Sequence, residues 1–303
     1  MTSPGHRLGR SGTTSLGAMR SLRRPVRRRD RESGQLAAAT AETVAERELP
    51  SDTRAAAFFD LDNTVLRGAS LFYLARGMYS RKLLRTSDIL RFGLQQLRFA
   101  LGAENDESID DARSAALTFI AGRSVKELRE AAEGVFDDYM EAKIWPGTQA
   151  IAEAHVDQGH RVWLVTAAPV EVATVVAKRL GLTGALATVA EQVDGTYTGR
   201  LVGDLLHGPA KAEAIRALAE RESLDLERCF AYSDSANDIP MLSLVGFPCA
   251  INPDRELRTH ARDRGWRVFD YRGRRRNTTL GVAAGVGAVA GASAGIAAAR
   301  KRA

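Results

Sequence analysis

The 303-residue chain is predicted to fold as an α/β protein, a parallel sheet covered by helices with a helical insert after its first strand. Three observations lead there. The short apolar run Ala55-Ala56-Ala57-Phe58-Phe59 stops abruptly at Asp60-Leu61-Asp62-Asn63-Thr64, the pattern of a buried parallel strand that delivers polar side chains at its C-terminal end. From about Arg67 to Lys143 only helical periodicity is visible. After Trp145-Pro146-Gly147, helix and strand patterns alternate.

Taken in order, apolar residues at three- and four-residue spacing predict insert helices over Leu71 to Tyr79, Ile89 to Leu101, Ile109 to Ile120 and Val125 to Tyr139. Thr148 to Gln158 reads as helix and Arg161 to Thr166 as strand. Val170 to Leu180 reads as a helix closed by Gly181. Leu186 to Val193 and Tyr197 to Val202 flank Asp194-Gly195, a hairpin turn signal. Helix, strand, helix, strand, helix and strand then follow over Lys211 to Glu222, Cys229 to Tyr232, Ile239 to Leu244, Phe247 to Ile251, Arg255 to Arg264 and Trp266 to Phe269. In such sheets ligands gather beyond the C-terminal strand ends.

Composition allows a sizeable core, with 45% hydrophobic and 26% charged residues. The formal charge of +6 is carried by the ends: arginines crowd Arg7 to Arg31 and Arg272 to Arg276, and Arg300-Lys301-Arg302 closes the chain. Charge thus describes tails, and no specific nucleic-acid partner is expected. Residues 1–52 hold too little apolar surface to offset ordering entropy and are expected to be a disordered basic tail. No apolar stretch follows Arg23-Arg24, so export is not expected. Two cysteines, Cys229 and Cys249, make neither a disulfide framework nor a metal site, and read as small buried hydrophobes in a reducing cytoplasm.

Four signals stand at predicted strand ends or helix starts. Asp60 and Asp62, at i and i+2 past the first strand, can turn two carboxylates to one place; one could attack phosphorus while the other, protonated, donates to a leaving oxygen. Thr166 and Ala167 end the next strand, offering a hydroxyl and exposed amides to an anion. Lys211 opens a helix after Gly208-Pro209-Ala210 and could neutralise a phosphoryl group. Ser233-Asp234-Ser235-Ala236-Asn237-Asp238 supplies hard oxygen ligands of the kind Mg²⁺ takes. Each alone has a plain structural reading: a turn, a helix cap, a surface lysine, an acidic helix start.

Occurring together and in this order, they resemble the haloacid dehalogenase-like (HAD) superfamily, subfamily IB, in its phosphoserine phosphatase-like branch. Its four motifs match Asp60-Leu61-Asp62-Asn63-Thr64, Thr166, Lys211 and Asp234-Ser235-Ala236-Asn237-Asp238, and Trp145-Pro146-Gly147, Val193 to Gly199 and Asn252-Pro253-Asp254 are similar too. The resemblance implies a Rossmann-like core over 53–271 with a cap at about 67–145, and a Mg²⁺-dependent phosphomonoesterase working through an aspartyl-phosphate. Asp60 would be the nucleophile and Asp62 the general acid/base, its carbonyl also reaching the metal. Thr166, Ala167, Lys211 and Asn237 would hold the phosphoryl group. Asp234 would ligate the metal, with Asp238 supporting. Serines stand at 233 and 235 and alanine at 210, where relatives often carry glycine. The cap would select a small phosphorylated substrate, with Arg67, Arg76, Arg81 and Lys82 as candidate anion binders.

Residues 272–303 form a basic linker and an uncharged run at 280–299, long enough to span a bilayer core and carrying small-xxx-small spacing. A membrane anchor and a flexible Gly/Ala tail both fit; an anchor would leave the catalytic domain cytoplasmic, at the inner face of the plasma membrane. Two alternative functions follow, a membrane-associated phosphatase of phosphorylated lipids and a non-catalytic binding module of the same fold.

Overall fold

A computed structural model describes residues 28–41, 52–82 and 120–272. Helix α1 (Arg28–Thr40) precedes strand β1 (Ala56–Phe59). Helices α2 (Ser70–Ser80) and α3 (Val125–Val135) belong to the insert; a π-helical turn, Phe136–Met140, and a 3-10 turn, Glu141–Lys143, lead out of it. Then come α4 (Pro146–Asp157), β2 (Arg161–Pro169), α5 (Val170–Arg179), β3 (Gly184–Thr188), β4 (Ala190–Val193), β5 (Thr196–Leu201) and α6 (Pro209–Glu222). The chain continues through β6 (Phe230–Ser233), the short α7 (Ile239–Leu242), β7 (Phe247–Ile251), α8 (Arg255–Asp263) and β8 (Arg267–Phe269).

Six strands form one sheet in the order β3-β2-β1-β6-β7-β8, with every pairing parallel. The chain winds outward in both directions from β1, so its C-terminal end lies at the middle of the sheet, flanked by β2 and β6. Period two sends alternate residues to opposite faces. Phe58, Trp163 and Ala231 enter the core beneath α1, α6, α7 and α8; Phe59, Leu164 and Tyr232 enter the core shared with α4, α5 and the insert. Both faces are buried, which is why these strands read as continuous apolar runs. Truncating Phe58 to alanine would cost about 3–5 kcal/mol.

The single strand expected over Leu186 to Val193 is two. β3 belongs to the main sheet, while β4 pairs antiparallel with β5 outside it. The hairpin turns on Asp194 (φ 49°) and Gly195 (φ 73°), the left-handed pair that a two-residue turn needs. It holds the returning insert: Gly122 and Val125 donate to the Tyr197 and Gly195 carbonyls at 2.9 Å, and Tyr197 donates to Arg123 at 2.9 Å.

Part of the expected N-terminal tail is ordered. Residues 28–40 form α1, which lies along α6 with Ser33, Gly34, Ala37 and Ala38 buried. Its own composition is poor in apolar residues, so the expectation of disorder missed a helix made by docking rather than by local propensity. The remaining tail, the expected helices over 89–101 and 109–120 except Ile120, and the run at 280–299 lie outside the described residues. Among the described residues no helix is long and apolar enough to cross a membrane. Cys229 and Cys249 are free and buried, and burial pushes the Cys229 thiol up to about 11.

Candidate active site

The β1 strand runs straight into the first loop. The Asp60 amide donates to the Tyr232 carbonyl at 2.9 Å, extending the β1–β6 ladder by one bond and holding Asp60 beside the end of β6. The chain then folds back tightly: Val65 and Leu66 donate to the Leu61 carbonyl at 3.0 and 2.9 Å. Asn63 stands left-handed at φ 60°, which asparagine tolerates, and its side chain accepts from the Gly68 amide at 3.0 Å. This turn leaves Asp60 buried and Asp62 partly buried, its carboxylate accepting from the Ser70 amide at the start of α2 at 2.7 Å.

Lys211 arrives from the far side of the sheet. Gly208 takes φ 52°, starting α6 so that Lys211 lies in its first turn, aimed at the strand ends. Its Nζ donates to Asp60 at 2.6 Å and to Asp238 at 2.7 Å, and all three residues are buried. The Ser233 hydroxyl donates to the same Asp238 oxygen at 2.7 Å. Asp234, past the end of β6, accepts from the Thr64 hydroxyl at 3.2 Å. Its loop is pinned by Asp254, whose amide donates to the Asp234 carbonyl at 2.8 Å and whose carboxylate accepts from the Ala236 and Leu257 amides at 2.7 Å each.

Thr166 and Ala167 sit where β2 loses register with β3, between Val165 and Pro169. Such a bulge re-aims side chains beside a site. The buried Thr166 hydroxyl accepts from the Ala168 amide at 3.1 Å, and the Ala167 carbonyl accepts from Thr188 at 2.8 Å. Asn237 is exposed, its amide donating to Ser235 at 3.3 Å.

Negative charge exceeds positive here, and the carboxyl groups register it. Burial pushes Asp60 up to about 7; Lys211 opposes the rise, and Asp238 and Asp62 add to it. Burial likewise raises Asp234 to about 8, helped by Asp60 and Asp238. Asp62 is raised by burial, against its bonds from Ser70. Burial pulls the Lys211 ammonium down, but Asp238 and Asp60 together outweigh it and hold the lysine firmly charged. A divalent cation would relieve this excess of negative charge. Among the described residues no three His, Cys, Asp or Glu side chains form a ready cage. Mg²⁺ does not require one, since it binds one or two carboxylates with carbonyl, water and phosphate oxygens. Asp60, Asp234 and the Asp62 carbonyl suit that habit.

Of the cap cations, Arg81 is occupied structurally, bonded to Asp138 at 2.6 Å and to the Gly77 carbonyl at 3.2 Å. Arg67 lies over the Trp145 ring at 4.3 Å and Arg76 over Tyr139 at 5.2 Å. Tyr73 donates to the Arg67 carbonyl at 2.6 Å. Burial raises its phenol, Asp62 adds to the rise, and Arg67 and Arg76 oppose it, so these four side chains share one neighbourhood. Lys82 is exposed. Sequence reasoning gave no role to Thr64, Ser70 or Asp254, and placed Ser233 in the metal-ligand run, whereas its hydroxyl donates to Asp238. Thr64 belongs to the Asp60 motif and Asp254 to the noted Asn-Pro-Asp, but each acts through a partner far along the chain.

Comparison with known proteins agrees with this architecture. The family model described as haloacid dehalogenase-like hydrolase matches residues 57–243. The chain is 52% identical over 238 residues to a protein named phosphoserine phosphatase SerB1 from Mycobacterium tuberculosis, covering 78% of this chain and 77% of that one. It is 30% identical over 221 residues to a histidinol-phosphatase of Neisseria meningitidis, covering 71% of this chain and 98% of that one. A Bordetella pertussis protein of unknown function superposes with a TM-score of 0.64 at 29% identity, covering 72% of this chain and 99% of that structure.

Proposed function

We propose that this chain, which belongs to the haloacid dehalogenase-like hydrolase family and is one of its phosphatases, moves a phosphoryl group from a small phosphomonoester to Asp60 and then to water. The observation that carries the reading is the buried Lys211 ammonium, shared at 2.6 and 2.7 Å between Asp60, at the end of β1, and Asp238, in the turn after β6. A carboxylate beside a fixed cation, in a water-poor niche, is arranged to meet an incoming dianion.

In the first step an Asp60 oxygen bonds to phosphorus as the bond to the leaving oxygen breaks. Asp62, whose carboxyl burial raises above its ordinary value, gives that oxygen its proton. In the second step Asp62 takes a proton from water, whose oxygen attacks the acyl phosphate, releasing inorganic phosphate and restoring Asp60. Thr166, the Ala167 amide and Asn237 hold the phosphoryl oxygens, and Lys211 favours the ionised form of Asp60 against the pull of burial. Mg²⁺ bound by Asp60, Asp234 and the Asp62 carbonyl, with Asp238 supporting, would neutralise the phosphoryl oxygens as the dianion approaches.

The cap over about 67–145 chooses the leaving group in this reading, and the substrate is phosphoserine-like. The histidinol-phosphatase relative widens the class to other small phosphorylated amino compounds. The uncharged run at 280–299 favours a second reading, in which the cytoplasmic catalytic domain is held at the inner membrane face and acts on phosphorylated lipid head groups. A panel of phosphomonoesters, run with Mg²⁺ and with a chelator, tests the activity. Acid quenching with a radiolabelled substrate should trap a hydroxylamine-sensitive phosphoenzyme; its absence, with turnover intact, would sink the aspartyl-phosphate. Membrane fractionation with and without residues 280–303 separates the two substrate readings.

A further inference from the structure

Helix α1 precedes the residues that the family model matches, yet it packs along the helix that carries Lys211. The contact is close because it is made of small residues. A Cβ on Gly34 would stand 2.6 Å from the Ala214 nitrogen and 2.8 Å from the Ala210 carbonyl oxygen, so the two backbones nearly touch, one residue from the lysine. Ser33 is buried and its hydroxyl accepts from the Asp204 amide, in the loop that leads into α6. At the other end the Arg221 guanidinium, from the last turn of α6, donates to the Ala38 carbonyl and to the Ala41 carbonyl at 3.5 Å. Thus α1 grips the approach to α6, its first turns and its last.

We propose that α1 is a positioning element for the phosphatase reaction: by clamping α6 along its length it holds Lys211 in bonding range of Asp60 and Asp238. The proposal rests on the reading of Lys211 and Asp60 given above. The lysine makes two bonds of 2.6 and 2.7 Å to carboxylates on two different loops. A slide or tilt of α6 by about 1 Å takes at least one of them out of range, and misplacements of that size can cost about a hundredfold in rate. Ser33, Gly34 and Arg221 are therefore positioning residues, acting through Lys211 without touching substrate.

Two full-length variants test this. Gly34→Leu wedges the helices apart; the double variant Ser33→Ala/Arg221→Ala releases α1 at both ends without adding bulk, in case the wedge prevents folding. Release of α1 is read by trypsin cleavage at Arg28, Arg29 and Arg31 in the folded enzyme. The expected result is a kcat lowered about tenfold or more, a KM within about twofold, and a Ki for orthovanadate raised by the same factor as kcat falls, since that anion samples the transition-state geometry. A variant whose α1 is cut by trypsin while kcat and the orthovanadate Ki stay at wild-type values overturns the proposal. So does a kcat loss with the orthovanadate Ki unchanged. Asp60→Asn and Lys211→Met run alongside: normal turnover in either would overturn the site reading itself, a result distinct from retained activity in the α1 variants.

Discussion

At the strand-end cluster, where the proposed reading puts the phosphoryl group, Lys211, Asp60, Asp238 and Ser233 are buried and bonded to one another at 2.6–2.7 Å. On the cap side, where the proposed reading puts the leaving group, Arg67 and Arg76 are exposed, and lie over the rings of Trp145 and Tyr139 at 4.3 and 5.2 Å. The first arrangement has little freedom: moving one group strands a buried charge, and removing a partner from such a cluster typically costs about 3–5 kcal/mol. The second can be altered residue by residue at small cost, because cation–π contacts at exposed sites contribute about 0.5–1 kcal/mol. In the proposed reading, chemistry is built into the rigid end and choice of substrate into the adjustable one.

Substitutions at the two ends should therefore fail differently. Asp60→Asn should lower kcat by about ten-thousandfold or more on every substrate, since a missing nucleophile has no substitute; a residual rate within a hundredfold of wild type would break the contrast. Asp62→Asn should cost about a thousandfold on an alkyl phosphate but much less on an aryl phosphate, whose leaving group needs no proton. Equal losses on both would remove Asp62 from the acid role. At the other end, Arg76→Ala should raise KM for an anionic natural substrate by about tenfold, near 1.4 kcal/mol, while leaving kcat on an aryl phosphate within about twofold.

The smallest effect concerns stability. Asp60 and Asp234 are raised from 3.8 to about 7 and 8 in the folded protein. Raised pKa values mean that the folded state keeps protons which the unfolded chain gives up. Their contribution is complete below about pH 4 and lost as pH climbs through 7 and 8. Metal-free protein should accordingly melt lower at pH 8 than at pH 6, and added Mg²⁺ should raise the melting temperature more at pH 8, by a few degrees. A Mg²⁺ shift that is equal at the two pH values would show that these carboxylates do not meet the ion.

Much of the architecture was legible because it is local. The run Ala55 to Phe59 read as a strand because it is short, apolar and stops abruptly at Asp60, and Asp60 and Asp62 followed from position alone. Asp194-Gly195 announced its hairpin because Asp and Gly accept left-handed φ, which both take. What precedes that hairpin was misread: Leu186 to Val193 looks continuous, and only pairing with different partners divides it into β3 and β4. The cap cations were equally ambiguous, and Arg81 turned out to be a structural partner of Asp138.

The sequence by itself determined the order of most strands and helices from β1 onward, the acids at the ends of β1 and β6, and the lysine that opens α6, because each is written in the spacing of neighbouring residues. Tertiary structure alone decided that Lys211 bonds to both Asp60 and Asp238, that Thr64 reaches Asp234, and that α1 is a helix at all. Those outcomes depend on which surfaces meet after folding. A Ser-Gly-Ala segment carries no instruction to be helical until another helix is there for it to lie against.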